Sequence, residues 1–93
     1  MSKDNNIHVS VSICGDKDIQ ELNKKFLKKD EPTDVLSFNV NECLEDGTFY
    51  LGDVIVNREQ AKRQAKNYGN SVEEEISELV SHGILHLFGV DHK

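Results

Sequence analysis

Ser71-Val-Glu-Glu-Glu-Ile-Ser-Glu-Leu-Val-Ser-His82-Gly-Ile-Leu-His86-Leu-Phe-Gly89-Val-Asp-His92 is the stretch on which the reading of this chain turns. Ser71 and Glu74 stand three apart ahead of an apolar run, the reciprocal capping pattern of a helix N-terminus, and Glu73 to Glu75 fall on the positive end of the helix dipole. At about 100° per residue, Val72, Ile76, Leu79, Val80, Gly83 and Leu87 gather into one stripe, so this helix has a core face. His82 and His86 lie along one flank of that stripe. Gly89 supplies the stop and lets the chain turn back through Val90-Asp91-His92.

Working back from Ser71, Gly69-Asn70 ends a preceding helix that opens at Asn57, with Gln60 three positions on in a reciprocal cap and Ala61, Ala65 and Tyr68 on its apolar side. Phe49 to Val56 is rich in β-branched residues and reads as a strand, joined across the turn signal Asp46-Gly47 to a second strand at Val35 to Val40. Pro32 places residues 29–33 in a loop. Ile19, Leu22 and Phe26 recur at helical spacing after a turn and cap at Gly15-Asp16. Ile7, Val9, Val11 and Ile13 alternate on one face of a first strand expected to be half-buried, with His8 on its solvated side. The order strand, helix, strand, strand, helix, helix predicts an α+β domain: a small mixed sheet of about three strands covered by three helices.

A chain of 93 residues with 37% hydrophobic content and 30% charge is one globular domain, residues 1–93, with a small core. It carries no apolar run long enough to span a bilayer and no secretory pattern at its start, so a cytoplasmic protein without a membrane partner is expected. In that compartment Cys14 and Cys43 are expected as free thiols. The net charge of −6 speaks against a polyanion partner until the charges are located. Eight of the eleven basic residues fall in two segments, Lys24, Lys25, Lys28 and Lys29 in one, Arg58, Lys62, Arg63 and Lys66 in the other, while the acids cluster in the hairpin and at the start of the last helix. Arg58, Lys62 and Lys66 recur every four residues as a stripe on a helix face.

Two histidines four apart on a helix can share a metal, and a glycine three residues after the second allows a sharp turn that brings a third imidazole round. His82, His86 and His92 therefore predict a zinc site with three nitrogen ligands and one open position, the catalytic rather than the closed structural form. The spacing is that of the metzincin peptidases, whose helix also carries His-x3-His. Those enzymes have a glutamate directly after the first histidine and a methionine turn under the metal. Here Gly83 takes the glutamate's place and the only methionine is Met1, so peptide hydrolysis falls to second place.

His82-Gly-Ile-Leu-His86-Leu-Phe-Gly89-Val-Asp-His92 closely resembles the hallmark of the bacterial YbeY-type endoribonucleases, which act in ribosomal RNA maturation; it differs from it at Val90, where the family has tyrosine. Two further segments match, Pro32-Thr-Asp-Val-Leu-Ser-Phe38 and Gly52-Asp53 followed by Val54-Ile-Val56. The resemblance implies a zinc-dependent endoribonuclease on single-stranded RNA, working at the 3′ end of small-subunit ribosomal RNA and in ribosome quality control, with His82, His86 and His92 as zinc ligands. Two departures stand out. The family's Leu-Asn-x-x-Tyr-Arg is here Leu22-Asn23-Lys24-Lys25-Phe26-Leu27, so a leucine stands where the functional arginine is expected, and either Lys28 or Lys29 substitutes as a point charge or the nuclease is weak. Relatives usually also have a strand and helix before the segment at Ile7 and a helix after the third histidine, which makes this sequence a short form. Metal loading or self-association through an uncovered sheet edge is then expected to support its stability.

Asp91, next to the third histidine, is the candidate proton acceptor or the partner that orients an imidazole, with an ordinary turn aspartate as the competing reading. Lys28, Lys29, Arg58, Lys62 and Lys66 are the candidate RNA-binding residues. Glu75 lies about two turns below His82, too far to ligate, and reads as a solvated cap residue. Asp34 and Asp53 read as partners of backbone groups. Two other functions compete with the nuclease: a metal-dependent hydrolase of peptides or small molecules, and a silent RNA- or ribosome-binding module that keeps its metal for folding.

Overall fold

The computed structural model of the chain describes residues 6–90. Six elements follow one another: β1 (Ile7–Cys14), α1 (Asp16–Leu27), β2 (Val35–Cys43), β3 (Phe49–Asn57), α2 (Arg58–Tyr68) and α3 (Val72–Leu87). The strands form one mixed sheet in the order β1-β3-β2, with β1 parallel and β2 antiparallel to the central β3. The α+β architecture is the one the sequence predicts. Cys14 and Cys43 are free thiols.

Local chemistry explains the boundaries. Ser71 caps α3 through its side chain, and Glu74 returns the bond to the Ser71 N–H at 2.8 Å. Gly69 ends α2 with φ 73°, and Gly47 and Asp46 close the hairpin, where the Asp46 carboxylate accepts the Thr48 N–H at 2.9 Å. That bond from the Thr48 backbone holds the Asp46 carboxyl below the usual range. Asn57 caps α2 as expected, accepting the N–H groups of Glu59 and Gln60, but the reciprocal half of the box is absent. The Asn57 N–H goes instead to the Asp34 carbonyl at 2.8 Å, so the Gln60 side chain is released to accept from Arg63.

The sheet separates its helices onto two faces. Ser37 and Asn39 donate to the α3 carbonyls of Gly83 (3.1 Å) and Leu87 (2.9 Å). Phe38, between them in β2, points the other way by the alternation of a strand and meets Phe26 of α1 with ring centroids 5.2 Å apart. The core lies under α2 and α3: Leu51, Val54, Val56, Ala61, Leu79 and Leu87 form one buried cluster. Gly83 is the point of closest approach. A Cβ there would sit 2.6 Å from a Val54 methyl carbon, so α3 rests directly on β3 at this position.

Three further sequence expectations change. β1 is not half-buried along its apolar face: Ile7, Val11 and Ile13 are 54, 46 and 53% exposed, and Val9 alone of that face packs on the core. The cause is sheet order, since β1 is an outer strand and α3 packs across β2 and β3. In α1, Asn23 rather than Phe26 follows Ile19 into the interior, because its side chain donates to the Glu31 carbonyl at 2.9 Å and ties down the loop that leads to β2. Gly15 is the N-cap of α1, within the predicted turn and cap at Gly15-Asp16. Glu75 is buried rather than solvated, because it starts the line Glu75, Leu79, Gly83, Leu87 along the core face of α3, and the Asn70 amide donates to it at 3.5 Å.

Candidate functional site

The last two turns of α3 and the turn beyond them position the paired histidines. The Val90 N–H bonds to the Leu85 carbonyl and the Gly89 N–H to the His86 carbonyl, both at 2.9 Å, with Gly89 at φ 85°. This is the double-bonded helix stop that a left-handed glycine permits. It fixes the turn carrying His86 and ends the helix there. His82 lies one turn earlier, about 6 Å along the axis, on the same side of the helix. Both imidazoles are exposed. The Glu78 carboxylate, one turn before His82, comes within 3.8 Å of His82 Nε2.

His86 also lines a cavity of about 320 Å³ along the outer edge of β2, with Leu27 from the end of α1 and Asp34, Val35, Leu36 and Ser37 from β2 and its approach. The position of Asp34 is set by Asn57, which is fully buried. Besides binding the Asp34 carbonyl, Asn57 donates its amide to Asp16 at 2.6 Å and to the Thr33 carbonyl at 3.1 Å. The Asp34 carboxylate accepts from the Thr33 hydroxyl and from the Gln64 amide, each at 3.4 Å. Asp34 and Ser37 are the cavity residues to which the sequence assigned no chemistry. The one signal for them is their place in the segment Pro32 to Phe38.

The structure separates the basic residues. Lys28 is the C-cap of α1 at φ 60° and, with Lys29, follows directly on Leu27 at the cavity. Arg63 is engaged with Asp16, donating from both guanidinium nitrogens at 2.8 and 3.2 Å, and Lys24 approaches Asp30 at 3.9 Å. On α2, Gln64 faces Asp34 from one flank of the buried Ala61 and Ala65, whereas Arg58, Lys62 and Lys66 follow the opposite flank by helical spacing. His8 is exposed but not merely solvated: it meets Tyr50 edge to face at 5.3 Å. The Tyr50 hydroxyl donates to the Asp53 carboxylate, which pushes the phenol above its usual range.

Two imidazoles one turn apart on an exposed helix flank are a donor pair suited to zinc. Among the described residues no group of three or more His, Cys, Asp or Glu side chains forms a metal cage. The third predicted ligand, His92, and the candidate proton acceptor, Asp91, lie outside the described residues.

Fold and site together define a class: a mixed-sheet α+β domain that sets two histidines of one helix beside a cavity at the sheet's edge. Within that class, the chain belongs to the endoribonuclease YbeY family, whose model matches residues 1–93. It is 51% identical over 89 residues to endoribonuclease YbeY of Aquifex aeolicus, covering 96% of this chain and 59% of that relative. The corresponding protein of a Sulfurihydrogenibium species is 44% identical over 89 residues, with the same 96% and 59% coverage. A Thermotoga maritima protein solved in solution superposes with a TM-score of 0.61 at 39% identity, over 95% of this chain and 55% of that one. The chain therefore spans somewhat more than half the length of these three proteins.

Proposed function

We propose that this domain is a zinc-dependent endoribonuclease acting on single-stranded RNA, with small-subunit ribosomal RNA in the cytoplasm as its substrate. The observation that carries this reading is the position of His86, which belongs at once to the paired-histidine helix and to the wall of the edge cavity. The family match supports the same chemistry, since the relatives bear the name endoribonuclease. No helix among the described residues is long and apolar enough to cross a membrane.

His82, His86 and His92 would hold the metal through neutral imidazole nitrogens. When bound, zinc would polarise a phosphoryl oxygen and ease loss of a proton from the attacking hydroxyl or water. Asp91, beside the third ligand, would take that proton on its carboxylate or orient the His92 ring. Lys28 and Lys29 would meet the RNA backbone near the cavity, and Arg58, Lys62 and Lys66, on the flank of α2 away from Asp34, would offer it a separate row of point charges. Gly83 argues against a peptidase. Its position against Val54 and Ser37 leaves no room for the glutamate that a peptidase carries directly after its first histidine.

Incubating the metal-loaded protein with single-stranded RNA and with casein, with and without a chelator, tests this reading. RNA should be cut, casein should not, and chelation should abolish the cutting. RNA cleavage that survives both chelation and His82→Ala would overturn the zinc mechanism, and RNA binding without cleavage would favour the silent module.

A further inference from the structure

We propose that the cavity beside His86 is a nucleobase subsite that selects guanine, an inference that rests on the reading of this chain as an RNA-binding nuclease. A volume of about 320 Å³ is at the small end of ligand sites, the scale of a single base rather than of a longer stretch of polymer. Its lining of Leu27, Asp34, Val35, Leu36, Ser37 and His86 contains no lysine or arginine and does contain a carboxylate. A phosphate placed there would be repelled by Asp34, so the RNA backbone runs outside the cavity and the cavity takes an uncharged part of the nucleotide. Leu27, Val35 and Leu36 offer apolar walls to a flat ring, the contact that unstacked bases of single strands seek. A leucine at position 27 suits this task, where an arginine would have brought a cation and its water.

Apart from the His86 imidazole, the polar side chains of the lining are acceptors. From the described residues Asp34 accepts two long bonds, at 3.4 Å from Thr33 and 3.4 Å from Gln64, which orient the carboxylate and leave lone pairs for a ligand. Ser37 spends its single hydroxyl proton on the Gly83 carbonyl at 3.1 Å, so toward the cavity its oxygen can only accept. Two neighbouring side chains that only accept, Asp34 and Ser37, favour a base edge rich in donors, and the His86 imidazole stands by for a base acceptor. Guanine presents the neighbouring N1–H and N2–H donors and can bind a carboxylate with two parallel bonds. Adenine and cytosine set a single amino donor beside a ring acceptor, and uracil sets one N–H between two carbonyls.

The test is fluorescence anisotropy of labelled heptauridylate and of the same oligomer with its central residue replaced by G, A or C, read on the full chain before cleavage advances, together with mapping of the cut sites. The wild type should bind the G-containing oligomer about tenfold more tightly than the other three, in the range one bidentate base contact supplies. Asp34→Asn should reduce that preference to less than about threefold while leaving heptauridylate affinity within about a factor of two, since only the paired acceptor is lost. Leu27→Ala, at a half-exposed site, should weaken all four oligomers together by removing an apolar wall. Equal binding of the four oligomers by the wild type overturns the subsite without touching the nuclease reading, whatever the variants do to folding. A uniform loss of cleavage at every base in Asp34→Asn also overturns it, by assigning Asp34 to the reaction itself. Failure of every oligomer to bind removes the RNA reading and the subsite with it.

Discussion

At the scale of single residues, Gly83 connects packing to chemistry. It brings α3 down onto Val54 and Ser37, and it occupies the place next to His82 that a metallopeptidase gives to its proton acceptor. Gly83→Ala places a carbon 2.6 Å from a buried Val54 methyl and 3.1 Å from the Ser37 oxygen, so helix and sheet must separate. We expect a loss of about 1–3 kcal/mol despite alanine's better helix propensity, measured by urea denaturation. A stabilised variant would show that α3 does not rest on β3 there. Asn57 is the other residue of this kind. Its one side chain caps α2, holds Thr33 and reaches Asp16, and its N–H fixes Asp34 at the cavity.

Between elements, the contact of α1 with α2 is electrostatic and therefore depends on pH. The Asp16 carboxyl is held below its usual range, first by the bonds from Arg63 and then by the one from Asn57. Because the folded state lowers this pKa, the link contributes fully above the unfolded value of about 3.9 and is lost as pH falls through the lower folded value. Arg63→Ala should therefore lower the thermal midpoint at pH 7 and lower it progressively less as the pH falls below the unfolded value; a shift that does not change with pH would contradict the assignment. The elements themselves were largely legible in the sequence, because a capping box at Ser71, a cap at Asn57 and glycine stops at positions 69 and 89 act within a turn of the residues that carry them. The exposure of β1 was not legible, because alternation shows which residues share a face and says nothing of whether a helix covers it. The burial of Glu75 was missed for a related reason: its charge suggested solvent, while its place on the line through Leu79 and Gly83 decided otherwise.

At the scale of the whole molecule, one fold brings together parts that lie far apart in the chain. Leu27 ends α1, Asp34 to Ser37 open β2, and His86 closes α3, yet all line one cavity. The paired histidines could be read from their spacing alone, whereas the cavity exists only once α1 and α3 are set on opposite faces of the sheet and both reach the edge of β2. If metal held by this helix enables the chain to cut RNA, the rate of single-stranded RNA cleavage will follow zinc titrated into metal-free protein. The rate should rise from near zero and level off at about one zinc per chain, with His82→Ala flat throughout. A rate indifferent to added zinc, or equal in His82→Ala, would contradict that role of the metal.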